Sequence, residues 1–125
     1  MSVQITEAEL KIMAVLWESA PMTITQMTHA LKEVTGWDKH TVISLLKRMT
    51  AKGSVRMEDV RPAKLYYPLV SRCEAESRQT ENFLGKVYDG DPVLMMSAMV
   101  NNGRLSKGEI DELMRMLAKA REEMD

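Results

Sequence analysis

Apolar residues recur through the first 52 residues at the three- and four-residue spacing that is typical of amphipathic helices. The pattern predicts three helices, at about 7–19, 25–35 and 38–52. Thr25 and Asp38 are predicted to cap the second and third helices, because short polar side chains accept hydrogen bonds from the first free backbone N–H groups. Gly36 and Gly53 are predicted to end the same two helices.

The apolar positions also predict which helix faces are buried. The expected apolar side of the second helix consists of Ile24, Met27, Leu31 and Val34, and that of the third consists of Val42, Leu45, Leu46 and Met49. At about 100° per residue, the opposite face of the third helix is centred on His40, Ser44, Lys47 and Ala51, with Thr41, Ile43 and Arg48 at its edges.

An alternating pattern follows the third helix. Val55 and Met57, and then Leu65 and Tyr67, alternate with polar residues, and the Arg-Pro-Ala-Lys segment between them is a turn signal. The pattern predicts a hairpin with strands at 54–60 and 64–69 and a tip at 61–63. Three helices followed by a hairpin is the order of a winged helix-turn-helix, whose third helix is the recognition helix and whose hairpin is the wing.

Residues 71–125 differ in character and predict three further helices, which makes the fold class mainly α. Three helices of this size cannot bury their apolar faces alone. They either pack on the N-terminal domain or, as we prefer, pair with a second copy of the chain. We therefore predict a winged-helix domain at 1–70 and a helical dimerisation domain at 71–125. The predicted interface residues are Leu84, Val93, Met96, Ile110, Leu113, Met114 and Leu117.

The formal net charge of −1 gives no sign of a nucleic-acid partner, but the charge is unevenly distributed. Residues 37–64 carry 7 Lys or Arg against 3 Asp or Glu. Lys and Arg supply affinity for phosphates, and short polar side chains near a helix N-terminus suit base edges. The predicted DNA contacts are Lys39, His40, Thr41, Ser44, Lys47, Arg48, Arg61 and Lys64. The alternative is a solvated basic face on a winged-helix module that binds a protein and no DNA.

The composition does not favour an enzyme or a cofactor-binding protein. The chain has two histidines and one cysteine, and it lacks a glycine-rich phosphate loop and the short motifs of hydrolases and zinc proteases. A structural zinc site needs about four Cys or His ligands. Five C-terminal methionines are potential Cu(I) ligands, although we favour core packing for them: Met95, Met96, Met99, Met114 and Met116.

The single cysteine, Cys73, excludes an internal disulfide and fits a reducing cytoplasm. It is either a redox sensor, which would make release from DNA responsive to oxidation, or an incidental thiol on a helix, which we favour. The sequence has no apolar run of the roughly 18 residues that a membrane span needs, and its N-terminus lacks a signal-peptide pattern. We expect a cytoplasmic protein without membrane insertion.

Taken together, the segments resemble the penicillinase-repressor (BlaI/MecI) family over almost the whole chain. The resemblance is carried by ITEAELKIMAVLW (5–17), WDKHTVISLLKRMTAKG (37–53), YYPLV (66–70) and LSKGEIDELMRML (105–117). It implies a homodimer that binds palindromic operator DNA and represses transcription. It also implies that bases and phosphates are contacted from the positions of His40, Thr41, Ser44 and Arg48 and from the wing.

The resemblance further implies a membrane-embedded sensor metalloprotease, whose signal leads to cleavage of the repressor in its dimerisation domain. Three departures from the family pattern qualify this. Ile43 stands where relatives often carry a polar or basic residue, so the operator sequence is expected to differ. The Asn-Phe cleavage pair of the β-lactam branch would fall near Ala98 and Met99 and is absent. The clustered C-terminal cysteines of the copper-responsive branch are also absent, which argues against copper sensing.

Overall fold

The computed structural model describes residues 4–124, and over that range it contains six helices and one antiparallel hairpin. In chain order the elements are α1 (Glu7–Ser19), α2 (Ile24–Thr35), α3 (Lys39–Lys52), β1 (Val55–Val60), β2 (Ala63–Pro68), α4 (Arg72–Tyr88), α5 (Pro92–Asn101) and α6 (Lys107–Glu122). This confirms the predicted fold class, a winged helix-turn-helix followed by three helices. The chain divides into two compact units, and the division falls inside α4, between Arg78 and Gln79.

The second helix begins at a different cap from the one predicted. Thr23, and not Thr25, is the N-cap residue of α2. Its hydroxyl accepts a hydrogen bond from the Gln26 backbone N–H at 3.1 Å, and the Gln26 side chain accepts one from the Thr23 N–H at 2.9 Å. This reciprocal capping box needs a Glu or Gln three residues after the cap. Thr25 is followed at that distance by Thr28, whose short side chain is not suited to this bond.

The predicted ends of α3 are confirmed. Asp38 is its N-cap, and Gly53 is its C-cap in the left-handed conformation, with φ of 86°. The Gly53 N–H donates to the carbonyl oxygens of Met49 and Thr50, and the Ser54 N–H also donates to that of Met49, so these carbonyl groups have partners at the helix end. Both ends of the predicted recognition helix are therefore fixed by local sequence.

The core of the first unit lies between the three helices and the base of the hairpin. The buried apolar side chains of α1, α2 and α3 are Ile12, Met13, Leu16, Met27, Leu31, Val42, Leu45, Leu46 and Met49. The predicted stripe of α3 is thus buried, and each of its side chains contributes about 1.5–3 kcal/mol by leaving water. The prediction for Val34 is wrong, because it lies in the last turn of α2 and stays 75% exposed.

The hairpin joins this core at its base only. The register pairs Val55 with Pro68 and Val60 with Ala63, so its strands are shifted slightly from the predicted 54–60 and 64–69 and a two-residue turn connects them. Within β1 only Val55 is buried, while Met57 is exposed. The predicted alternation therefore does not mark the buried face, because most of the hairpin extends past the helices that would cover it.

Two contacts attach the hairpin to the body of the unit. Met22 forms an isolated antiparallel bridge with Tyr66, with backbone hydrogen bonds of 2.9 and 3.3 Å in the two directions. The Trp17 indole Nε1 donates to the Val70 carbonyl oxygen at 2.8 Å. Because both contacts join residues far apart in sequence, they set the position of the wing relative to α1 and to the start of α2.

The second unit, from Gln79 onward, lacks a core of its own. None of its described residues, 79–124, is buried. Met114 and Leu117 of α6 are 62% and 66% exposed, and Val93 of α5 is 73% exposed. The core packing that we favour for the C-terminal methionines is therefore not formed within the single described chain, and it stays a prediction. None of the described helices is long and apolar enough to cross a membrane.

Candidate nucleic-acid interface

The centre of the exposed face of α3 is polar and basic. His40, Ser44 and Lys47 are all exposed, and they follow one another along the helix at spacings of four and three residues. The opposite side of the same helix supplies four buried side chains to the core. Since that packing prevents α3 from rotating, the polar face has a fixed orientation toward solvent.

The N-terminal end of this face is held by a local hydrogen-bond cluster. The Asp38 carboxylate accepts hydrogen bonds from the Thr41 backbone N–H at 3.0 Å and from the Thr41 hydroxyl at 3.1 Å. These bonds from Thr41, the backbone bond first, lower the pKa of Asp38 below its usual value, and the nearby His40 acts in the same direction. The hydrogen bond to Asp38 orients the Thr41 hydroxyl group, whose oxygen can still accept a hydrogen bond from a bound ligand.

A buried carboxylate lies against the C-terminal flank of α3. Glu9 Oε1 accepts a hydrogen bond from Lys52 Nζ at 2.6 Å, and Glu9 Oε2 lies 3.5 Å from Arg48 Nε. Glu9 is fully buried, and among the described residues its Oε2 has no hydrogen-bond partner. Arg48 keeps 62% of its side chain exposed, so the pair orients its base without covering its guanidinium.

The charge state of Glu9 follows from these contacts. Burial alone raises the pKa of its carboxyl group, but the hydrogen bonds from Lys52 and from the Thr6 backbone, with the charges of Lys52 and Arg48, outweigh burial and leave the pKa below its ordinary value. Glu9 is therefore ionised at neutral pH. It neutralises part of the positive charge at this flank and ties α3 to α1, a role that local sequence patterns did not reveal.

The other flank of α3 borders a groove of about 530 Å³. Its walls come from the start of α2, the N-terminal half of α3 and the wing turn, through Thr23, Ile24, Thr25, Lys39, Ile43, Pro62, Ala63 and Lys64. The groove brings together Lys39 and Lys64, two of the predicted contact residues. The wall residues that come from α2 and from the hairpin were not among the predicted contacts, with the exception of Lys64. Only the tertiary fold brings these residues close to α3.

The wing carries the remaining predicted residues. Arg61 is exposed in the two-residue turn, and Lys64 is exposed on β2. Arg56 is engaged within the hairpin, because its guanidinium lies 3.8 Å from the centre of the Tyr67 ring and 3.5 Å from the Glu58 carboxylate. The free positive charge of the wing is thus concentrated near its tip.

Most of the predicted interface residues of the second unit line one apolar cavity. It has a volume of about 300 Å³ between α5 and α6 and is lined by Met96, Val100, Leu105, Ile110, Leu113, Met114 and Leu117. Five of the seven predicted residues are among these, whereas Leu84 and Val93 lie elsewhere on the unit. Cys73 is exposed on α4. Within residues 4–124 no three His, Cys, Asp or Glu side chains are grouped so that they could hold a metal ion.

Comparison with known proteins identifies the family. The model of the penicillinase repressor family matches residues 5–119. Among curated proteins, the penicillinase repressor of Bacillus licheniformis is 26% identical over 114 residues, covering 91% of this chain and 89% of that protein. The methicillin resistance regulatory protein MecI of Staphylococcus aureus (strain N315) is 26% identical over 116 residues, covering 93% and 94%.

Solved structures show the same fold. The DNA-binding domain of the repressor BlaI in solution superposes with a TM-score of 0.53 at 24% identity, covering 58% of this chain and 88% of that domain. The Bacillus licheniformis BlaI monomer in complex with the blaP half-operator gives 0.52 at 23% identity, covering 58% and 90%. The oxidised form of MarR from E. coli gives 0.50 at 22% identity, covering 94% and 76%. On the match of the family model to nearly its whole length, the chain belongs to the penicillinase repressor family, whose members are transcriptional repressors and not enzymes.

Proposed function

We propose that this protein is a homodimeric, sequence-specific repressor that binds a palindromic operator. In this proposal α3 enters the major groove and the β1–β2 hairpin is the wing. The observation that carries the proposal is the exposed basic face of α3, held in place by a buried stripe on its other side. Family membership and the likeness to the BlaI monomer solved in complex with a half-operator support it.

The DNA contacts in this proposal divide into two kinds. His40, Thr41 and Ser44 lie in the first half of α3, where short side chains reach base edges. Phosphates are contacted by long cationic side chains on α3 and the wing, namely Lys39, Lys47, Arg48, Arg61 and Lys64. The second group sets affinity and salt dependence, and the first sets the preferred sequence.

The dimer in this proposal uses residues from 71 onward. A unit of about 45 residues without a buried side chain has too little core to be stable alone. Large exposed apolar patches mark interaction surfaces, and Ile110, Leu113 and Leu117 line one continuous apolar cavity. A second copy covering the α5–α6 face would bury this surface and place two recognition helices on two half-sites.

We further propose that the protein acts in the cytoplasm, where its operator is, and that its partners include a membrane sensor protease or the signalling product of that protease. The region around Ala98 and Met99 lies near the end of α5, beside the proposed dimer face. Cleavage there would separate the α5 residues from the α6 residues that line the same apolar cavity, although the Asn-Phe pair of the β-lactam branch is absent at this position. Oxidation of the exposed Cys73 is the alternative route to release.

The proposal is tested by selecting duplexes from a random library with the full chain and measuring the oligomeric state of the complex. We expect the selected sequences to contain two inverted half-sites about one helical turn, or a multiple of it, apart. A duplex with one half-site scrambled should bind much more weakly than the full palindrome. Selection of no sequence at all would favour the alternative, a winged-helix module that binds a protein partner.

A pair of variants tests whether Ser44 contributes to the discrimination between DNA sequences. Ser44→Ala removes one donor and acceptor from the centre of α3 and should reduce discrimination between the selected sequence and random DNA. Glu33→Ala changes an exposed residue of α2 away from the predicted contacts and should leave discrimination unchanged. Equal behaviour of the two variants would remove Ser44 from the site.

A further inference from the structure

The exposed side of α3 is mostly polar and basic, and the large hydrophobic side chain on it is that of Ile43. Ile43 is 38% exposed and lies one helical turn from Lys39 on one side and one turn from Lys47 on the other. The four apolar residues of α3 that form the core stripe are buried, so Ile43 is not needed to complete that stripe. Its position between two cations indicates that it faces the same ligand as they do.

Ile43 also lies in a defined environment. It forms part of the wall of the 530 Å³ groove, which is also lined by Thr25 at the start of α2 and by Pro62 and Lys64 of the hairpin. Lys39 and Lys64 give this groove positive charge at its edges. A polyanion bound there would be held by the two lysines and would bring its less polar groups toward Ile43.

The major groove of DNA presents one apolar group, the 5-methyl group of thymine, and the remaining base edges present hydrogen-bond donors and acceptors. An aliphatic side chain has no hydrogen bonds to offer those edges, and polar edges left unpaired against it would lose their water. We infer that Ile43 reads the 5-methyl group of a thymine in each half-site. This inference rests on the proposed function and adds to it the chemical group that Ile43 recognises.

The methyl group can be removed without changing base pairing, because deoxyuridine differs from thymidine only at that position. A duplex selected with the full chain would be synthesised with each thymidine replaced in turn by deoxyuridine, and affinity would be measured by fluorescence anisotropy. The palindrome should contain one symmetry-related pair of thymines that contact Ile43. Replacing either thymine of this pair by deoxyuridine should lower affinity about fourfold, which is the expected cost of losing one buried methyl group. The same replacement should change the affinity of Ile43→Ala by less than about 1.5-fold.

Val34→Ala is the matched control, because Val34 is an exposed aliphatic residue of α2 outside the groove. It should retain the full sensitivity to deoxyuridine. Circular dichroism and thermal unfolding of Ile43→Ala would establish that the variant is folded.

The outcomes are distinguishable. Wild-type protein that binds its selected duplex but tolerates every deoxyuridine would overturn the inference and leave the proposed function intact. So would an Ile43→Ala variant with the same deoxyuridine sensitivity as the wild type, because the methyl group would then be read by another side chain. Failure to select any duplex would overturn the inference together with the proposed function. Ile43 would then be a candidate contact for a protein partner.

Discussion

Replacing Glu9 by Gln should weaken the attachment of α3 to α1. The substitution keeps the shape of the side chain and an amide oxygen that can accept the hydrogen bond from the Thr6 backbone, which is 3.1 Å long in the wild type. It removes the negative charge that faces Lys52 Nζ at 2.6 Å. The change therefore tests the buried ion pair and leaves the packing around it nearly unaltered.

The expected loss follows from the burial of the two partners. Removing one member of a fully buried ion pair costs about 3–5 kcal/mol, because the other charge is left without a partner. Here the Lys52 side chain is 31% exposed and can turn toward water once Glu9 is neutral, which reduces the penalty. A charge-assisted hydrogen bond contributes about 1.5–3 kcal/mol, so we expect Glu9→Gln to lower the free energy of unfolding by ~2 kcal/mol.

The assay is urea unfolding at a fixed protein concentration, followed by the fluorescence of the two tryptophans. A fixed concentration is needed because dimerisation would make apparent stability concentration-dependent. Lys52→Met and the double variant complete a cycle that isolates the pair. Glu7→Gln is the matched control, since Glu7 also lies in the first turn of α1 but is exposed.

The pH dependence supplies a second readout. The folded-state pKa of Glu9 lies below its ordinary value of 4.5, so the ionised form favours folding. This contribution is complete above the unfolded-state pKa and is lost as the pH falls through the folded-state pKa. The difference between wild type and Glu9→Gln should therefore be largest near neutral pH and disappear in acid. A coupling below about 0.5 kcal/mol, or a difference independent of pH, would refute the argument.

Three other variants test separate parts of the structure. Leu113→Asp places a charge in the apolar cavity between α5 and α6, so this variant should be monomeric by light scattering. The control Glu112→Ala, which changes the exposed neighbouring residue, should remain dimeric. A dimeric Leu113→Asp variant would exclude this face as the interface. Lys47→Ala should weaken DNA binding about equally for all sequences and reduce the salt slope by about 1, and an unchanged slope would mean that Lys47 contacts no phosphate. Gly53→Ala forces an alanine into a left-handed C-cap with φ of 86°. The variant should therefore lower the free energy of unfolding in urea by about 1 kcal/mol. An unchanged free energy of unfolding would contradict this expectation.

The elements with strong local signals were predictable from the sequence. The spacing of Val42, Leu45, Leu46 and Met49 predicted the buried stripe of α3, and Asp38 and Gly53 predicted its ends. These signals act over one or two helical turns, so no knowledge of the tertiary structure was needed. The cap of α2 was also readable, since Thr23 and Gln26 have capping-box spacing, but Thr25 offered a competing choice.

Features that depend on distant residues were not predictable. Glu9 and Lys52 are 43 residues apart, and nothing in either local sequence shows that they pair. The exposure of Val34 and Met57 has the same origin, because periodicity shows which face a residue lies on and not whether another element covers it. The α5–α6 face shows the same limit, because its apolar stripe was evident from the sequence and yet no other part of the described chain covers it.

The most direct test of the central claim is fluorescence anisotropy of the full chain with duplexes tiled from upstream of its own gene, at two salt concentrations and with random duplex as competitor. We expect one fragment to bind at nanomolar concentration, with an affinity that falls steeply with salt and with binding that persists in the presence of the competitor. Weak binding that is equal for every fragment, and equal for a library-selected duplex, would contradict it.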